Sequence, residues 1–159
     1  MPNVPRGLTL PAGALHALRA AALDTSGGAA RLREAGEVAG LALYDDFAAR
    51  VRASHGVEPE ALSLARFVDE LTAHLRDGGW GTTRVETESS ALRLTADDWV
   101  EAEPDADADA PACHFSAGLL AGIFSRVAGA ALDVREHTCR SAGAARCEFV
   151  VGSRATVNK

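Results

Sequence analysis

The chain has 159 residues, 47% of them hydrophobic, and a formal net charge of −6. That length fits one domain, residues 1–159, whose core is large enough to fold without disulfide staples. An acidic chain with no Lys/Arg cluster lacks the basic face of a duplex-DNA reader, so no direct nucleic-acid partner is expected.

Ala, Arg and Asp are abundant and Lys is rare, the usage of a GC-rich bacterial genome. The first ten residues, MPNVPRGLTL, hold two prolines and no apolar run of the kind a secretory signal needs. No stretch approaches transmembrane length, so no membrane is expected. Three cysteines cannot all pair with one another, and reduced thiols point to the cytoplasm.

The helical half spans about 12–78. Leu15, Leu18 and Ala22 recur at helical spacing, and Thr25 to Gly28 break that helix. A long helix follows from about Ala30 to Ser54, with the stripe Leu32, Gly36, Ala39, Leu43, Phe47 and Val51. Its small residues Gly36, Ala39 and Gly40 invite another helix to approach. A third helix is expected after Gly56, with Pro59 in its first turn and Leu64, Phe67, Val68, Leu71 and Leu75 on its buried face. Gly78, Gly79 and Gly81 end it around Trp80.

The second half, about 82–152, changes period. Arg84 to Glu88 and Ala91 to Thr95 read as strands around a Ser89-Ser90 turn, and Trp99-Val100 as the start of another. Glu103 to Ala110, EPDADADA, reads as a solvated acidic loop. From Cys113 to about Val127 the pattern is helical again. Gly118 and Gly122 lie on one face there, and two glycines at that spacing imply close approach of backbone or ligand. Leu132 to Arg140 and Ala145 to Val151 then read as a hairpin across Ser141–Ala144. The expected fold is α+β: N-terminal helices packed on an antiparallel sheet of hairpins, with one glycine-bearing helix inserted between the hairpins.

Cys113, Cys139 and Cys147 all fall in the last third. Cys139 and Cys147 sit on opposite arms of the second hairpin, about 5 Å apart across the ladder. Cys113 opens a helix, where the N-terminal dipole favours thiolate. Three thiolates and one further donor make a tetrahedral zinc shell. Strand alternation puts His137 on the face of Cys139 and Glu136 on the other, so periodicity favours His137 as the fourth donor unless a bulge intervenes. His114 is a third candidate. All three cysteines as ordinary core residues is the competing reading.

Cys113-His-Phe-Ser-Ala-Gly118-Leu-Leu-Ala-Gly122, Val134-Arg-Glu136-His-Thr-Cys139 and Gly143-Ala-Ala-Arg-Cys147-Glu-Phe149-Val-Val-Gly152 together resemble the 4-vinyl reductase domain family. Its relatives include the phenol-sensing input domains of bacterial transcriptional activators. More distantly the fold is similar to a trafficking-complex subunit, in the nitric-oxide-signalling and Golgi-transport ligand-binding fold. The likeness is strong from Cys113 to Gly152, looser back to Gly79, and one of layout before that.

The resemblance implies a structural zinc on Cys113, Glu136, Cys139 and Cys147, and hence a bulge near Glu136. It implies an apolar pocket, for which Trp99, Phe115, Leu119, Ile123 and Phe124 are the candidates, and a homodimer. The phenol-gripping Trp and His of those relatives have no secure counterpart, so phenol itself is not implied. The expected role is a regulatory or accessory protein that binds a small apolar or aromatic molecule and signals through a separate protein partner. A tetrapyrrole accessory or reductase-like factor and a pure interaction scaffold are the alternatives. No GxGxxG follows a strand, and no defensible catalytic set emerges; His16, His55 and His74 read as scattered surface residues.

Overall fold

The computed structural model describes residues 8–158. Residues 1–7 and 159, at the two ends of the expected 1–159 unit, lie outside the described residues, as does most of the stretch read for a signal segment. Five helices and four strands follow one another: α1 (Ala12–Leu23), α2 (Gly28–His55), α3 (Leu64–Asp77), β1 (Thr83–Glu88), β2 (Ala91–Ala96), α4 (His114–Ala128), β3 (Asp133–Thr138), β4 (Cys147–Gly152) and α5 (Arg154–Val157). The strands form one antiparallel sheet in the order β1-β2-β4-β3, so the two hairpins join through β2 and β4. This is the expected α+β arrangement, with the glycine-bearing α4 between the hairpins.

The helix–helix contact at the centre follows from four glycines. On α2, Gly36 and Gly40 are buried, and on α4, Gly118 and Gly122 are buried. A Cβ at Gly36 would lie 2.0 Å from the Phe115 carbonyl oxygen, and one at Gly118 would lie 1.9 Å from that of Arg33. The backbones therefore touch directly, a distance that no larger residue permits. Every residue of α4 from Ser116 to Phe124 is buried, as expected of a helix apolar on all sides. Its other side meets the sheet, whose central strand β4 carries buried Cys147, Phe149, Val150 and Val151.

Some local readings shift. Pro59 opens a separate 3-10 turn (Pro59–Ala61), and α3 begins at Leu64 behind Ser63, whose hydroxyl accepts from the Arg66 N–H. Serine supplies the capping oxygen that proline lacks. Leu64 is therefore on the first turn and half exposed instead of in the core. Trp99-Val100 is not a strand: Val100 donates its N–H to the Trp80 carbonyl in a turn that swings Trp99 inward. Among the described residues, no helix is long and apolar enough to cross a membrane.

Candidate metal centre

Cys113, Glu136, Cys139 and Cys147 come together. One potential ligand atom from each lies within 4.8 Å of all the others. The three cysteines are 1%, 1% and 0% exposed and unpaired. Cys113 immediately precedes α4, Cys139 follows the end of β3, and Cys147 begins β4. Three distant segments thus converge.

The ladder turns Glu136, not His137, towards the three sulfurs. Glu136 pairs with Phe149 while Thr138 pairs with Glu148, so β3 uses one residue more than β4. His137 is that extra residue, and it is exposed. A bulge reverses the side-chain parity beyond it, which turns Glu136 and Cys139 towards the same point. Strict alternation, which favoured His137, fails here for that reason.

The donor set fits zinc on three counts. The Cys113 and Cys139 sulfurs are 3.7 Å apart; two thiolates each about 2.3 Å from a tetrahedral zinc lie about 3.8 Å apart. Glu136 Oε2 accepts the Cys113 N–H at 2.9 Å, whereas Oε1 is buried with no hydrogen-bond partner. An orphaned carboxylate oxygen is costly unless a cation receives it. The protonation pattern also signals missing positive charge. Burial pushes the Glu136 carboxyl up to about 8. Hydrogen bonding to Cys139, then to Cys147, raises the Cys113 thiol well above the usual thiol range. The same sharing, led by Cys113, depresses the Cys139 thiol. For Cys147 the contact with Cys113 lowers, but that with Cys139 and burial outweigh it, to about 12. Four acids packed this closely cannot all ionise without a cation.

The start of α4 serves a carboxylate. The free N–H groups at the start of α4 are taken by Glu101, whose oxygens accept from Phe115 N–H at 3.1 Å and Ser116 N–H at 2.7 Å. Glu101 is 0% exposed, and burial, the dominant cause, raises its pKa. The sequence reading missed this residue, which sits just before the run taken as a solvated acidic loop. Glu103, inside that run, accepts from Arg19 at 2.9 Å. Arg19 is the one buried residue of α1 and also donates to the Ala112 carbonyl, next to Cys113. A lone arginine on an otherwise apolar short helix was the available signal.

Trp99, Leu119, Ile123 and Phe124 belong to the core cluster, and half-buried Phe115 packs against it. Trp99 donates its Nε1–H to the Ser116 hydroxyl at 2.7 Å, and its ring tilts onto Phe149. Phe115 stacks on Trp80 with centroids 6.1 Å apart. Phe124 packs edge-on against Phe67 of α3. Two surface cavities, of about 640 and 500 Å³, are lined by other residues. The larger borders Cys113, Glu136, His114 and His137; the smaller lies along α2 and α4 by Leu41 and Gly122. His16, His55 and His74 are half-buried, not free surface residues: His16 is bonded to the Val100 carbonyl and His55 to Glu70, and His74 packs on Phe47.

Residues 93–153 match the V4R domain. That segment contains all four clustered donors. No curated protein matches the chain. Among solved structures, the chain is similar to the phenol-responsive sensory domain of the transcription activator PoxR with phenol, at 20% identity and a TM-score of 0.72 over 92% of this chain and 76% of that one. It is similar to a vinyl-4-reductase family protein from Methanocaldococcus jannaschii, at 18% identity and a TM-score of 0.62, over 92% and 83%. A trafficking protein particle complex subunit 3 from Naegleria fowleri, covalently bound to palmitic acid, matches at 16% identity and a TM-score of 0.67, over 89% and 91%. At these identities the likeness concerns the fold alone, over about nine-tenths of this chain.

Proposed function

We propose that this chain is a single-domain regulatory module that binds a small apolar or aromatic molecule, with a structural zinc on Cys113, Glu136, Cys139 and Cys147. The observation that carries the metal reading is the buried three-sulfur, one-carboxylate cluster with its orphaned oxygen. A closed four-donor shell leaves no open position for substrate, so its role is to tie the start of α4 to the ends of β3 and β4. No reaction is assigned to it. The ligand reading draws on the V4R match and on the likeness to a sensory domain solved with phenol.

Metal analysis of protein purified without added metal tests the centre. About one zinc per chain is expected, in line with a single four-donor site. Cys139→Ala and Glu136→Ala should lose it and melt earlier, while His137→Ala should keep it. Retention of full zinc by Glu136→Ala with loss in His137→Ala would reverse the ligand assignment.

Both tryptophans of the chain, Trp80 and Trp99, lie in the aromatic cluster by α4. Their fluorescence therefore reads any ligand that displaces those side chains. A saturable change with one member of a panel of small phenols and alkylbenzenes supports the binding reading. A flat response, with no co-purified organic mass in native mass spectrometry, favours an interaction scaffold, the reading that the filled core also supports.

We favour a homodimer through the outer faces of α1 and α2, where Leu18, Leu23, Val38 and Leu41 are exposed.

A further inference from the structure

We propose that metal enters and leaves this centre through the 640 Å³ surface cavity beside the start of α4, with His114 and His137 as the donors an arriving ion meets first. The inference rests on the zinc reading above and assigns the route to particular residues.

Only two of the four clustered donors, Cys113 and Glu136, line the cavity. The other two are shut off from it. Cys147 is 0% exposed, and its ladder partner on β2 is buried Ala96. Cys139 lies under the turn that follows it. That turn is pinned by Ser141, itself 0% exposed, whose hydroxyl accepts the Glu103 N–H and whose carbonyl accepts the Ala108 N–H. An ion approaching from solvent therefore reaches the cluster across its Cys113–Glu136 face.

The chemistry of that face suits exchange. Glu136 is the one oxygen donor among sulfurs, and it sits on the bulge, where the ladder is interrupted. A single carboxylate is more readily displaced from zinc than the thiolates that anchor it. The same cavity is lined by His114, half-buried, and His137, exposed. Among the described residues neither ring makes a hydrogen bond, so both imidazoles are free to offer nitrogen to a passing ion. Imidazole holds zinc well enough to shed its water and weakly enough, from one or two donors, to pass it on. The bulge that removes His137 from the inner shell is thus the feature that places it at the mouth.

The test follows metal kinetics in the full chain. Zinc release is timed with excess 4-(2-pyridylazo)resorcinol, and Co(II) uptake by the metal-free protein is timed by the thiolate-to-cobalt absorption band. Two variants probe the route independently: His114→Ala with His137→Ala, which removes the outer donors, and Asn158→Trp, which fills the mouth from an exposed position on the cavity wall. Roughly tenfold slower uptake in the double variant, and slower uptake and release in Asn158→Trp, are expected at unchanged final stoichiometry. Wild-type rates in both variants, with full metal content, would overturn the route. A wild-type chain that holds no zinc as purified and gives no cobalt–thiolate band would instead overturn the metal centre itself.

Discussion

At the scale of single residues, polar groups without partners are the informative ones. Glu136 Oε1 lies in the cluster for which we propose a cation. His74 Nε2, also buried without a partner, lies outside it. Burial, followed by the Arg50 charge, holds the His74 imidazole below its ordinary 6.5. The folded value is the lower one, so the unfolded chain takes up the proton first. The contribution of His74 to stability is therefore present above about 6.5 and is lost as pH falls from there towards the folded value. His114 is shifted in the same direction, chiefly by burial. His74→Phe should fit beside Phe47 and reduce the fall in melting temperature between pH about 7.5 and about 5.5. An unchanged fall would mean that the acid sensitivity lies elsewhere, in the zinc ligands first of all.

Secondary-structure elements show two kinds of cohesion. The α2–α4 contact is backbone on backbone, and its glycines cannot be enlarged. Gly118→Ala would set a methyl 1.9 Å from the Arg33 carbonyl oxygen and should cost about 1–3 kcal/mol or more, as helices forced apart lose contacts along their length. Gly13, in the first turn of α1, faces open space, with nothing within 4 Å of where a methyl would sit. Gly13→Ala should therefore stabilise, by about 0.5–1 kcal/mol, through helix propensity alone. Urea titration of both variants checks the pair; equal effects would contradict the close crossing. By contrast, α1 is held by polar contacts: Arg19 to Ala112, Glu101 and Glu103, and His16 to Val100. Those contacts end beside Cys113, so α1 and the metal cluster share one loop.

Across the whole molecule, four large apolar side chains left exposed lie on α1 and α2: Leu18, Leu23, Val38 and Leu41. Leu18 is 63% exposed and Val38 71%. The small-residue stripe of α2, which in sequence suggested a place for a second copy, is occupied inside the chain by α4. The dimer reading therefore moves to the outer faces of these helices. Light scattering should give a dimer mass for the wild type and a monomer mass for Leu18→Glu with Val38→Glu. A wild type that stays monomeric over a wide concentration range would remove the dimer.

Much of this was legible locally. Helical period gave α2 and α4 nearly to the residue and set the start of α3 too early, alternation gave both hairpins, and the donor types of Cys113, Glu136, Cys139 and Cys147 stand in the chain as written. These features are set by the order of neighbouring residues, because period and donor chemistry are properties of short segments. The rest depended on segments far apart in sequence. A single extra residue in β3 turned Glu136, and not His137, towards the cysteines. A carboxylate at Glu101 took the helix terminus that Cys113 was expected to use, and the glycines of two helices found each other rather than a partner or a ligand. The aromatic side chains read as pocket walls pack in the core or against it. Parity, capping and filling are decided by what lies opposite a residue in space, and only the tertiary structure supplies that.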